Sequence, residues 1–131
     1  MNIPAKLPSI SLKVLSLYTD WQTRIKHIPK PLRFSLGTRI EYILATLIEI
    51  IALGYYSAPS ERADILMTAI AKNETLKFMF YALYELQGVD EQCFFALSKK
   101  TEEIGWMLHG WKNQIAKQNH SNLRPSGNQT H

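Results

Sequence analysis

Apolar side chains recur at alternating spacings of three and four in the last third of the chain. The row is Phe94, Leu97, Ile104, Leu108, Trp111 and Ile115, with Thr101 in register. An α-helix turns once every 3.6 residues, so this spacing gathers them on one face. Sustained over three heptads, the row reads as a coiled-coil-like seam. The period recurs three times upstream. Ile10, Val14, Leu17, Trp21, Ile25 and Ile28 make one stripe. Leu36, Ile40, Ile43, Leu47 and Ile50 make a second, widened by Leu44, Ile48 and Ile51, a breadth that suits burial on two sides. Leu66, Ala69, Leu76, Phe80 and Leu83 make the third. Period-2 runs bounded by Asn-Gly or Asp-Gly turns, the signal for hairpins, are absent from the sequence.

Punctuation sets the limits of these helices. Ser9 or Ser11 can accept the first free N–H groups of the first helix. The run Ile-Pro-Lys-Pro at 28–31 stops it, because a residue before proline is pushed out of the helical region. Pro59 suits a first-turn position, and Glu61 and Asp64 suit the positive end of a helix dipole. Gly88 reads as the residue just past a helix end, and Asp90 as the next N-cap. The spacing therefore predicts helices over about 9–27, 32–57, 60–87 and 91–118. Short connections make neighbours antiparallel, giving an all-α, up-down-up-down four-helix bundle. With 131 residues and 46% hydrophobic content, one core and one domain over 1–118 are expected. The remainder, 119–131, is polar and aperiodic and is predicted to be a disordered tail.

Several function classes are disfavoured. One cysteine, Cys93, builds no disulfide framework within the chain. Prolines and lysines interrupt the first eighteen residues, which do not read as a signal peptide. The most apolar run, IEYILATLIEIIALGYY, carries Glu41 and Glu49 and is too short and charged to span a bilayer unaided. A cytoplasmic protein without a membrane partner is expected. His27, His109, His120 and His131 form no Glu-x-x-His pair, and Cys93 has no neighbour at ligand spacing. Phosphate-binding loops are absent. Glu102 and Glu103 are adjacent, so on a helix they point about 100° apart and do not face each other as an acid–base pair. No catalytic residue, metal, cofactor or small-molecule substrate is expected, and the chain does not read as an enzyme.

Charge points elsewhere. The net charge of +4 and pI near 9.2 permit a polyanionic partner. Lys26, Lys30 and Arg33 cluster at the first connection, Arg39 follows on the second helix, and Lys77 lies on the third. Each is equally compatible with a solvated face; phosphate contact needs several to share one.

The stretch TEEIGWMLHGW raises a separate question. Gly105 and Gly110 each cost a helix about 1 kcal/mol relative to alanine. With Trp106 they lie off the core stripe, while Trp111 lies on it. Either the glycines are merely tolerated or they admit a second packing surface.

These residues also carry a resemblance. EEIGWMLHGW is similar to the Glu-Ile-Gly-x-Met-Leu-x-Gly-Trp signature of the Avd proteins, accessory variability determinants of diversity-generating retroelements. IPKPLRFSLGTRIE resembles the block that opens their second helix. LKFMFYALYEL resembles a block of their third helix, with Tyr81 where that family places arginine. The resemblance spans about residues 12–117. It implies a ring-like homopentamer of four-helix subunits that binds the element's reverse transcriptase and template RNA or other nucleic acid, and supports mutagenic reverse transcription without catalysing it. It implies that Lys30 and Arg33 contact a polyanion or partner, with Lys26, Arg39 and Lys77 as further candidates. Gly37, Gly105, Trp106, Gly110 and Trp111 become candidate subunit-packing positions, and Glu103 a partner for a basic residue. The alternative is a bundle of the wider group, similar to proteins encoded by 23S ribosomal RNA intervening sequences: an RNA-binding or scaffold protein without a reverse transcriptase.

Overall fold

Four long helices make up almost all of residues 9–123, the part of the chain described by a computed structural model. Helix α1 is Ser9–Arg24 and ends in a 3-10 turn, Ile25–His27. Helix α2 starts with Lys30–Leu32, passes through a π-helical turn at Arg33–Gly37 and continues as Thr38–Tyr56. Helices α3 and α4 are Pro59–Glu85 and Glu91–Leu123. No strand occurs among the described residues.

Each helix packs against two others, in the cyclic order α1, α2, α3, α4. Residue pairs give the directions. Lys13 meets Glu103 while Lys100 meets Asp20, so α1 and α4 run oppositely. Asn73 meets Thr101 while Tyr84 stacks on Phe94, so α3 and α4 do too. Sequence neighbours lie side by side because their connections are too short to cross the bundle.

The four stripes converge on one core. Leu17, Trp21, Ile40, Leu44, Leu47, Leu66, Leu76, Phe80, Leu83, Leu97, Ile104 and Leu108 are fully buried. The Trp21 and Phe80 rings tilt together at 5.9 Å between centroids. Each such side chain contributes roughly 1.5–3 kcal/mol by leaving water. Stripe members at the rim, Ile25, Leu36, Ile50, Phe94 and Trp111, are only partly buried.

Three boundaries differ from the sequence reading. Lys30 and Pro31 lie inside α2, because proline within a first turn sacrifices only an N–H that has no helical partner. The residue in left-handed conformation after α3 is Gln87, with φ of 63°, not Gly88. Gly88 N–H donates to Leu83 O at 2.8 Å and Gln87 N–H to Tyr84 O at 2.9 Å, the paired bonds of a Schellman ending. Gly88 is glycine for lack of space: a Cβ there would stand 2.5 Å from Leu83 Cδ1. Finally, α4 continues to Leu123, so 119–123 are helical rather than part of a tail; 124–131 lie outside the described residues. Asp90 does cap α4, its Oδ1 accepting the Cys93 N–H at 2.8 Å.

Candidate functional site

The basic residues singled out from sequence divide into two kinds. Lys26, Lys30 and Arg39 are exposed, and among the described residues none has a carboxylate within 4.0 Å. They lie toward the α1–α2 end of the bundle. Arg33 is used differently. Its Nε and Nη2 donate to Ile28 O at 3.2 and 2.9 Å, and Nη2 also to Lys26 O at 2.9 Å. These carbonyls end α1 without helical partners, so a cation that donates to them satisfies them and suits the negative end of the dipole. Lys77 is also engaged, 3.0 Å from Glu102 and 3.6 Å from Glu74. Those contacts raise its ammonium pKa, the hydrogen bond to Glu102 most of all, against the opposing effect of burial. Lys100 bonds Asp20 at 2.7 Å and Ser16 at 2.8 Å, and Glu103 bonds Lys13 at 3.1 Å.

The glycines and tryptophans also separate. At Gly105 a Cβ would stand 3.3 Å from Asn73 Nδ2. Asn73 is buried and donates to Thr101 O at 3.0 Å, so Gly105 admits a polar side chain of its own chain between α3 and α4. Gly37 is buried in the π-turn, where a Cβ would meet Leu32 O at 3.4 Å and Ile25 Cδ1 at 3.8 Å. Trp111 packs inward on Gly54, its Cη2 3.6 Å from where a Cβ would be. Gly110 has nothing among the described residues within 4 Å of its missing Cβ, and Trp106 is 72% exposed. Gly110 borders an open cleft of 770 Å³ that Tyr55, Arg62 and Trp111 also line.

Sequence reasoning missed three groups. Arg62 repeats the Arg33 device, its Nε donating to Gly54 O at 2.7 Å and its Nη2 to Ser57 O, at the end of α2. Position was the available signal, since both arginines follow a helix break by a few residues. Glu41 accepts from Tyr18 Oη at 3.1 Å, Trp21 Nε1 at 3.1 Å and Gln22 Nε2 at 2.9 Å, fastening α1 to α2. The third group is an aromatic run across the α3–α4 seam. Tyr84 stacks on Phe94 at 4.7 Å, and Tyr81 and Phe95 lie 6.2 and 6.0 Å from the Phe94 ring.

Burial pushes the Cys93 thiol pKa up, against the pull of the Arg24 guanidinium, so the thiolate is disfavoured. Among the described residues no three His, Cys, Asp or Glu side chains gather to hold an ion, and no helix is long and apolar enough to cross a membrane. What the surface offers is charge at the α1–α2 end and exposed aromatic area on the α3–α4 seam. Protein-family models give no match to this chain, and neither does a search of curated proteins.

Proposed function

We propose that this chain is a non-catalytic accessory subunit of a diversity-generating retroelement. In this reading it binds the element's reverse transcriptase and template RNA, acts as a homo-oligomer of ring-like, pentameric form, and supports mutagenic copying. The observation that carries the proposal is that Lys26, Lys30 and Arg39 are exposed on a closed helical bundle and pair with no carboxylate among the described residues. Lys30 and Arg39 belong to the very block that resembles the opening of the Avd second helix. Exposed cations on a rigid scaffold suit phosphate contact, because each neutralised phosphate releases a condensed counterion. Arg33, which the resemblance also implies as a contact, holds the corner that presents Lys26 and Lys30.

The test is co-purification. The tagged protein is expressed beside the reverse transcriptase encoded nearest to its gene, with and without nuclease. Co-elution that survives nuclease supports direct enzyme contact. Co-elution abolished by nuclease leaves RNA as the bridge and removes the enzyme-binding half of the proposal. No co-elution in either condition rejects the retroelement role.

A further inference from the structure

Along the outer α3–α4 seam, carboxylates outnumber cations on a chain whose net charge is +4. Glu74 and Glu102 flank Lys77, and their side chains remain 50% and 49% exposed. Glu85 is exposed one turn beyond Tyr81, and Glu91 one turn before Phe95. Against these four carboxylates stand Lys77, held between two of them, and Lys99. Within this acidic strip lie large exposed rings. Phe78 is 74% exposed, and with Tyr81, Glu74 and Lys77 it lines an open groove of 360 Å³.

Aromatic faces beside carboxylates have a chemical preference. The face of a ring is negative and attracts a cation, and a planar guanidinium stacks on it while donating in a fork to a carboxylate. Phosphate is repelled by the same carboxylates. Of this chain's own arginines, Arg33 and Arg62 are committed to carbonyls of their own molecule, whereas Arg39 is exposed, so a second copy is the competing source that the assembly-mass measurement below separates. We infer that the α3–α4 seam docks an arginine-bearing segment of a partner polypeptide, with a guanidinium lying against Phe78 and Tyr81 and donating to Glu74 or Glu102. This goes beyond the retroelement reading, because it fixes the chemistry of the docked segment whichever protein carries it. It also moves protein contact to a surface other than the lysines of the α1–α2 end.

The test uses the full chain and a short fluorescein-labelled peptide of alternating arginine and alanine, with a lysine–alanine peptide and oligouridylate for comparison. Two double variants are compared with the wild type, Phe78→Ala with Tyr81→Ala and Glu74→Gln with Glu102→Gln. All four side chains are largely exposed, so helicity by circular dichroism should be unchanged. Arginine-peptide affinity is expected to exceed lysine-peptide affinity, and to fall about fivefold in each double variant. Oligouridylate affinity is expected to be unchanged on removal of the rings. Equal arginine-peptide affinity across all three proteins overturns the inference. Weaker oligouridylate binding without the rings reassigns the seam to RNA and overturns it as well. A drop in assembly mass by sedimentation in the ring variant gives the seam to a second copy, which likewise overturns the arginine-segment assignment. Each of these failures leaves the reverse transcriptase co-purification untouched, so the two proposals fail separately.

Discussion

The indole Nε1 of Trp21 donates to Glu41 at 3.1 Å across the α1–α2 interface. Trp21 is fully buried, so this carboxylate is what spares its N–H from being desolvated without a partner. Tyr18 and Gln22 converge on the same group. Glu41→Ala strands a buried donor and should cost about 2–3 kcal/mol, read as a lower urea midpoint. Glu41→Gln keeps an oxygen acceptor and should cost less.

Tyr18 adds a pH dependence to that joint. Burial and then Glu41 raise its pKa above the ordinary value near 10.0. The folded state therefore favours the neutral phenol. Its stabilising contribution is complete below the unfolded-state pKa and is lost as pH rises through the folded one. Stability measured from neutral to strongly alkaline pH should decline more steeply above about pH 10 in the wild type than in Tyr18→Phe.

At the α3–α4 corner, Gln87 occupies a left-handed conformation that favours glycine, while Gly88 fills a site with no room for a side chain. Gln87→Gly should raise stability by about 1 kcal/mol. Gly88→Ala should lower it, because Leu83 must move. The order of the two unfolding midpoints around the wild type checks both at once.

Asn73 is buried with its Oδ1 lacking a hydrogen-bond partner among the described residues. Asn73→Leu removes that acceptor but also the bond to Thr101 O, and its methyl groups are bulkier than the planar amide seated against Gly105, so it should lower the unfolding midpoint, by about 1 kcal/mol of stability. Gly110→Ala should stabilise an unassembled chain by a similar amount, about 1 kcal/mol, since nothing surrounds the site. If Gly110 packs against another copy, the same substitution should reduce the assembly mass instead, which sedimentation reads directly.

Lys26→Gln with Lys30→Gln should make the salt dependence of RNA affinity shallower, by roughly 0.7 in logarithmic slope for each phosphate no longer neutralised. Arg33→Gln should lower the unfolding midpoint more than either lysine change does, because three hydrogen bonds to carbonyls depend on it.

The bundle was legible because its cause is local. Leu17, Leu47, Phe80 and Leu108 announce their burial through spacing alone, and Asp90 announces its cap through position. The partners of long polar side chains were not legible. Lys77 and Lys30 look alike in sequence, yet one meets Glu102 on another helix and the other meets solvent. Gly105 read as a surface for another subunit because nothing in the sequence says that Asn73 crosses from α3 to fill the space beside it. Tyr81 was visible as a departure from a family pattern, but its place beside Phe94 depends on how α3 lies on α4.

The two arginine corners bear on how copies of this chain can join. Arg33 and Arg62 each sit early in one helix and grip the end of the one before. Exchanging a helix between molecules requires a corner to swing open, and opening either one would tear a guanidinium from its carbonyls. Exchange of helices between copies through either of these two hinges is thus disfavoured.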